Sequence, residues 1–413
     1  MTKFNNNFIK PSYDSYCFSN IPGTIQKLFG IPNNKGLPEN VLPTGKYKEY
    51  NKVIFLFIDA FGWKFYEKYK NKYPALQRFI NKGTVSKITA QFPSTTAAEV
   101  TTMNTGLSVG ESGVYEWFYY EPKVDAVIAP LLFSYAKNKE RGTLVAANVN
   151  PAILYPSQTI YEELAKNGVK SNLFISSEYA NSEYNLIMSK GANIYSFSTI
   201  ADGLTKLSEM VVNDTTKSYY YLYYGKIDSI GHSYGTDSRY FDNEVELFFI
   251  ALENFLLKYI DEKIKDTIIL LSADHGQTNV SPKTTFYLNK EIPNIAKYFK
   301  TTKMGEPIVP AGSCRDMFLY IKDDVLDKLI TELSEKLKDK AEIYKTSKLI
   351  NEGYFGNNVS EEFLSRVGNI VILPYKGESV WWYEKGVFEQ KHIGHHGGLT
   401  REEMEIPFLT LTI

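Results

Sequence analysis

Short apolar runs alternate with amphipathic segments through the first two thirds of the chain. Four runs predict strands, at Val53–Ile58, Asn172–Ile175, Tyr219–Tyr224 and Thr267–Leu271. Helical periodicity predicts helices between them, at Thr159–Lys166, Ile200–Val212 and Glu244–Ile260. Uninterrupted apolar strands are typical of a parallel sheet that is buried on both faces. We therefore predict an α/β fold with a mostly parallel central sheet flanked by helices.

The pattern differs at both ends of this region. Residues 1–50 contain scattered Pro, Gly and Asn and predict an irregular segment with one short helix near Ile25–Phe29. Between residues 281 and 390, strands are predicted at Met317–Ile321 and Asn369–Leu373, with a helix capped by Asp324 between them. We expect residues 281–390 to form a smaller inserted α+β cap subdomain. Residues 1–280 and 391–413 would then form the catalytic core.

Composition and charge argue against a nucleic acid or membrane partner. The 413 residues carry a formal net charge of -1, which provides no positive surface for a nucleic acid polymer or a membrane. The cysteines, Cys17 and Cys314, lack the spacing of a disulfide framework or a metal site. Met1–Phe18 has no apolar run of the signal-peptide kind, and no segment is long enough for a membrane span. We expect a cytoplasmic protein whose oligomeric state the sequence leaves open.

Residues with metal-binding and nucleophilic side chains lie where the predicted strands end or helices begin. The segments contain Asp59, Thr96, Asp228 with His232, and Asp274 with His275, and a fifth contains His395 and His396. All five histidines of the chain, at 232, 275, 392, 395 and 396, fall in or beside these segments. Open α/β sheets bind ligands at the carboxyl ends of their strands. Because zinc accepts imidazole and carboxylate together, the pattern indicates a metal site.

Thr96 is the candidate nucleophile. A threonine hydroxyl needs a base or a metal to activate it, and neighbouring metal ligands would supply that activation. Residues 97–100 predict a helix start, whose free N–H groups favour a phosphate. The alternative is structural, since Thr96 and Glu99 have the spacing of a helix capping box.

These motifs, in this order, resemble those of the alkaline phosphatase superfamily, in particular its type I phosphodiesterase/nucleotide pyrophosphatase branch. The resemblance covers residues 53–408 and implies an alkaline phosphatase-like core. It implies one divalent ion held by Asp228, His232 and His396. It implies a second ion held by Asp59, Asp274 and His275, with the Thr96 hydroxyl directed towards it. The ions would be zinc, with manganese as the alternative, and the reaction would pass through a phospho-threonine intermediate.

The chain departs from the family at Glu99, where many relatives carry an asparagine that donates to the phosphate. A carboxylate cannot donate in that way, so Glu99 either caps the helix or contacts another part of the substrate. The aromatic residues 115 and 117–120 would stack on a nucleotide base or pack in the core. Arg315 would reach a phosphate or form a surface ion pair, and the charged stretch Arg401–Glu403 would begin a solvated helix.

The leading hypothesis is a metal-dependent phosphodiesterase or nucleotide pyrophosphatase that acts on a small phosphorylated substrate such as a nucleotide. A phosphomonoesterase or phosphonate hydrolase would use the same core, and a phosphosugar mutase is a further alternative. A degenerate binding protein would lack some of the ligands, whereas all six metal ligands that the resemblance implies are present in the sequence.

Overall fold

The computed structural model describes residues 8–138 and 140–413. Its centre is a seven-stranded sheet. We number the strands along the chain: β1 (Lys52–Ile58), β2 (Thr84–Thr89), β3 (Lys170–Ser176), β4 (Ala192–Phe197), β5 (Ser218–Tyr224), β6 (Thr267–Ser272) and β7 (Glu405–Thr412). Their order across the sheet is β2-β7-β6-β1-β5-β3-β4.

The sheet is largely parallel, as the apolar runs predict. β1 lies at its centre and pairs in parallel with β5 on one side and β6 on the other. β3 lies between β5 and β4 and pairs in parallel with both. β7 is antiparallel to both β6 and β2. Every residue from Val53 to Ile58 is buried, which explains why this strand is apolar without alternation.

Helices flank the sheet, and several are preceded by a residue whose side chain caps the first turn. Thr159, Thr199 and Ser238 each accept a hydrogen bond from a first-turn N–H group. The helices of six or more residues are Ile21–Leu28, Trp63–Tyr69, Pro74–Lys82, Thr96–Thr105, Ile160–Lys166, Glu183–Met188, Ile200–Asn213, Lys226–Tyr234, Arg239–Ala251, Leu326–Lys336, Thr346–Asn351 and Glu361–Arg366. The predicted helix Glu244–Ile260 begins earlier, at Arg239, and contains a π-helical segment, Leu252–Leu257, before Lys258–Ile260.

A second, antiparallel sheet lies within residues 281–390. Its strands are Met317–Leu319, Ile370–Pro374 and Ala341–Lys345, in that spatial order. The helix Leu326–Lys336 connects the first of them to the last. Three shorter strands, Tyr119–Glu121, Ala126–Ala129 and Ser134–Tyr135, form another antiparallel sheet. The division into core and cap stays a prediction.

Short pairings bring the C-terminal histidine segment to the sheet. Gly394–His395 pairs with Thr278–Asn279, which follows β6, and Ser94 forms a bridge with Gly397. Within residues 8–138 and 140–413, no helix is both long and apolar enough to cross a membrane. The prediction that Met1–Phe18 lacks a signal peptide falls partly on residues 1–7, which lie outside the described residues.

Candidate active site

The predicted site residues converge at the carboxyl ends of the three central strands. Asp59 follows β1 directly, Asp274 and His275 follow β6, and Asp228 lies in the first turn of the helix that follows β5. Because parallel strands end at the same edge of the sheet, residues far apart in sequence meet there.

Asp59, Asp274 and His275 form the most buried group. Their potential ligand atoms lie within 4.8 Å of one another. His275 Nε2 is 3.3 Å from Asp274 Oδ2, 3.5 Å from Asp59 Oδ1 and 3.3 Å from the Thr96 hydroxyl. Asp59 Oδ1 and Asp274 Oδ2 are buried and have no hydrogen-bond partner among the described residues. Burial, together with the charge of Asp274, raises the pKa of Asp59 well above its ordinary value. Two buried oxygens without donors suit a cation, so this group fits a metal ion.

The remaining oxygens of this group are fixed by neighbours that the sequence analysis did not single out. Tyr223 donates its hydroxyl to Asp59 Oδ2. The backbone N–H groups of Ala60 and His275 donate to Asp274 Oδ1, each at 2.9 Å. Tyr223 lies in the aromatic strand β5, and no motif in the sequence marked it as a site residue. These contacts leave one oxygen of each carboxylate available.

A second group of potential metal ligands surrounds Asp228. It lies with His275 and His396 in one group whose ligand atoms are within 4.8 Å. His232 Nε2 is 3.3 Å from Asp228 Oδ2, and His396 Nε2 is 3.7 Å from Asp228 Oδ1. Gln277 donates to Asp228 Oδ1 at 2.5 Å and orients the carboxylate, a role not predicted from sequence. Burial raises the pKa of Asp228 to about 7.

Backbone carbonyls orient the two imidazoles beside Asp228. His232 Nδ1 donates to the carbonyl of Gly394 at 2.8 Å, and His396 Nδ1 donates to the carbonyl of Ser94 at 2.9 Å. Each Nε2 is therefore the free nitrogen, the tautomer that a metal-binding histidine requires. Burial lowers the pKa of His232 to about 4 and that of His396 well below its ordinary value. Both rings are neutral at physiological pH.

The structure separates the two roles that the sequence left open for Thr96. Thr95 is the N-cap, and its hydroxyl accepts from the N–H of Ala98 at 3.4 Å. Thr96 is the first helical residue and faces His275. The capping box of Thr96 with Glu99 is therefore wrong, because the capping residue is one position earlier.

Glu99, in the first turn of this helix, is fully buried. Its carboxylate accepts from the backbone N–H of Gln91 at 2.6 Å and from the Gln91 side chain at 2.5 Å. Burial raises its pKa well above the ordinary value. Both carboxylate oxygens of Glu99 thus bind Gln91, and Glu99 does not lie among the residues that line the adjoining cavity.

A buried ion pair supports the loop that carries His396. Arg315 Nε and Nη2 donate to the two carboxylate oxygens of Glu403, each at 2.9 Å, and both side chains are fully buried. Glu403 also accepts from the N–H of Gly398 at 3.1 Å and from the Thr400 hydroxyl at 2.6 Å. The expectations that Arg315 lies on the surface or reaches a phosphate, and that Glu403 is solvated, are both wrong. The pairing partner lies 88 positions away and leaves no local sequence signal.

A cavity of about 890 Å³ adjoins Thr96, Asp59 and Asp228. Many of the described residues that line it are aromatic: Trp117, Tyr179, Tyr184, Phe197, Tyr221, Tyr223, Tyr224 and Phe255. Of the aromatic cluster noted in the sequence, Tyr115 and Tyr119 pack in the core, whereas Trp117 is 39% exposed and lines the cavity. A cavity of this size holds a small organic ligand.

The motif order, the parallel sheet and the grouped Asp and His ligands agree with the comparison to known families. The chain belongs to the type I phosphodiesterase/nucleotide pyrophosphatase family, whose model matches residues 53–399. It is thus an enzyme of this class within the alkaline phosphatase superfamily, and the family is metal-dependent. No curated protein sequence matches the chain.

Solved structures with the same fold include three of ectonucleotide pyrophosphatase/phosphodiesterase 5. The murine protein, as an inactive threonine-to-alanine variant in complex with AMP, is 16% identical with a TM-score of 0.66, and the match covers 88% of each chain. A second murine structure is 17% identical with a TM-score of 0.66, over 87% of this chain and 88% of that one. The human protein is 16% identical with a TM-score of 0.64, over 87% of each chain.

Proposed function

We propose that the chain hydrolyses phosphodiester or pyrophosphate bonds of a small phosphorylated substrate, with Thr96 as nucleophile and two divalent ions. The observation that carries the proposal is the position of the Thr96 hydroxyl, 3.3 Å from His275 Nε2 and beside buried, unpartnered carboxylate oxygens. The same hydroxyl adjoins a cavity large enough for a nucleotide. The structurally similar murine protein supports the threonine nucleophile and the nucleotide-sized cavity, because its inactive threonine-to-alanine variant is in complex with AMP.

The proposed ligand sets follow the side chains around Asp59 and around Asp228, where His232 and His396 both contact the Asp228 carboxylate. Asp59, Asp274 and His275 would hold one ion, and Asp228, His232 and His396 the other. When bound, such ions lower the pKa of a coordinated hydroxyl or water and neutralise charge on phosphoryl and leaving-group oxygens. Mixed imidazole and carboxylate ligands favour zinc, and manganese is the second candidate because it accepts carboxylate oxygens.

In the proposed reaction, Thr96 forms and then loses a bond to phosphorus. The Thr96 oxygen attacks phosphorus as it loses its proton, and the bond to the leaving oxygen breaks on the opposite side. The N–H groups of Thr96 and Ala97 lie in the first helical turn, which has no intrahelical acceptors, so they can bind a phosphoryl oxygen. Water then cleaves the threonine ester, which releases the phosphate monoester and restores the hydroxyl.

The cavity beyond Thr96 would hold the organic part of the substrate. Its aromatic wall offers faces on which a base can stack. Arg141 also lines this cavity and makes no ion pair or hydrogen bond with any described residue. A free guanidinium at this position would bind a further phosphate of a pyrophosphate substrate.

The proposed cap, residues 281–390, supports the site through the C-terminal histidine segment. Ser313 donates its hydroxyl to the carbonyl of His396 at 3.1 Å, and Gly312 donates its N–H to the carbonyl of Phe118 at 2.7 Å. The cap therefore holds one metal ligand and one wall of the aromatic region in place. We propose the same boundaries for it as the sequence predicted.

Hydrolysis of bis-p-nitrophenyl phosphate and p-nitrophenyl phosphate by metal-depleted and zinc-supplemented protein tests the function. The proposal expects no activity without metal, recovery with zinc, and a higher kcat/KM for the diester than for the monoester. Thr96→Ala should abolish turnover, whereas Thr105→Ala, at the other end of the same helix, should keep it. Equal activity with and without bound metal would contradict the proposal, and preference for the monoester would favour a phosphomonoesterase.

A further inference from the structure

His392 and His395 form a second histidine group around His232. The ring centroid of His232 lies 4.4 Å from that of His392 and 5.2 Å from that of His395, and the other two rings are 5.7 Å apart. One ligand atom from each residue lies within 4.8 Å of the other two. The two added histidines belong to neither ligand set of the proposed two-ion site.

Hydrogen bonds leave nitrogen atoms of this group free. The Nδ1 of His232 is used by the Gly394 carbonyl, so its free nitrogen is Nε2. His395 Nδ1 lies 3.0 Å from both the carbonyl and the N–H of His396, and the tautomer that donates to the carbonyl leaves Nε2 free for an ion. Among the residues that the structure describes, neither ring nitrogen of His392 has a hydrogen-bond partner.

Three imidazoles without a carboxylate form a donor set for zinc, with water as the fourth ligand. Tetrahedral zinc with Zn–N bonds of about 2.0–2.1 Å places its nitrogen ligands about 3.4 Å apart. The ligand atoms lie within 4.8 Å of one another, so zinc binding requires small side-chain movements, which are easiest for the exposed His392. The pairing of Gly394–His395 with Thr278–Asn279 fixes the backbone beside His232.

We propose that His232, His392 and His395 form a third divalent-metal site that inhibits the enzyme when zinc is in excess. The mechanism rests on the proposed function, because it depends on His232 serving the ion at Asp228. The Nε2 atom of His232 is 3.3 Å from Asp228 Oδ2, and its single lone pair binds one ion at a time. An ion in the third site therefore removes one ligand from the catalytic pair.

Zinc binding and zinc inhibition of the full-length protein test this inference together. Equilibrium dialysis against zinc, followed by metal analysis, measures binding to wild-type protein, His392→Ala and His395→Ala. Hydrolysis of bis-p-nitrophenyl phosphate over the same range of free zinc measures inhibition. Glu389→Gln is the matched control, because it removes a carboxylate from the same loop but no member of the histidine group.

We expect zinc above saturation to inhibit the wild type and the Glu389→Gln control alike. The two histidine variants should keep basal activity within about twofold and need at least about tenfold more zinc for half inhibition. They should also lose the weakest class of bound zinc. Unchanged zinc binding and inhibition in both variants would overturn the third site. If no protein hydrolyses the substrate, the proposed function fails, while the dialysis still decides whether the histidines bind zinc.

Discussion

Arg315→Met provides a quantitative test of the support beneath the His396 loop. The guanidinium donates to both oxygens of Glu403 and to the backbone carbonyls of Tyr375, Glu378 and Pro374. Methionine keeps much of the side-chain volume and removes every one of these donors. Glu403 then remains as a buried carboxylate without its cation.

The loss of one partner of a buried ion pair costs about 3–5 kcal/mol. Urea denaturation at neutral pH should therefore show a fall of about that size in the free energy of unfolding of Arg315→Met. Glu403 also accepts from the N–H of Gly398, two residues after His396, so the variant should bind metal more weakly as well. Adding Glu403→Gln should recover part of the loss, because the two residues act as one unit.

Lys376→Met is the matched control for this experiment. Lys376 pairs with Glu402, the neighbour of Glu403, but its side chain is 64% exposed. An exposed pair contributes at most about 1 kcal/mol. If Arg315→Met cost no more than this control, the buried pair would not support the loop and the reasoning would be refuted.

Three further predictions concern charge, backbone and substrate. Burial raises the pKa of Glu116 from 4.5 to about 8. Between these pH values the folded protein binds more protons than the unfolded chain, so its free energy of unfolding falls as pH rises. Glu116→Gln should flatten this slope by up to about 1.4 kcal/mol per pH unit, measured by denaturation at several pH values. The control Glu163→Gln, whose side chain is 45% exposed, should leave the slope unchanged. An unchanged slope in Glu116→Gln would contradict the prediction. At Gly397 φ is 119°, and a Cβ atom there would lie 2.6 Å from Asp316 Oδ1. Gly397→Ala should therefore lower the free energy of unfolding by about 1–3 kcal/mol and lower kcat at least about tenfold. Wild-type stability and kcat in this variant would refute the prediction. Arg141→Ala should raise KM about two- to tenfold for a nucleoside triphosphate but not for bis-p-nitrophenyl phosphate; equal effects on both would show that Arg141 does not bind a phosphate.

The fold was predictable where burial dominates the sequence. β1 and β6 are apolar throughout because both faces are covered, and their predicted ranges differ from the structure by one residue at an end. β2 and β4 were not predicted. Each lies at an edge of the sheet and mixes polar with apolar residues, so it has no uninterrupted apolar run. β7 was missed although it is well buried, because it follows a short charged helix that was expected to be solvated.

The sequence indicated which residues group together at the candidate site, but it did not indicate the contacts that orient them. Asp59, Asp274 and His275 lie together, and His396 lies beside Asp228. The residues that orient them, Tyr223 and Gln277 among others, were missed because a hydroxyl or amide has no motif of its own and acquires its role through tertiary contact. The cytoplasmic location and the metal identity stay predictions.

The central claim is that the oxygen of Thr96 becomes covalently bound to phosphorus during turnover. Rapid acid quench of the zinc-loaded enzyme with a diester substrate, followed by peptide mass spectrometry, measures this directly. The account predicts a phosphoryl ester on Thr96 that still carries one alcohol of the substrate, forms before the steady state and is absent from Thr96→Ala. Continued hydrolysis by Thr96→Ala at the wild-type rate, with no adduct on the wild type, would contradict the account.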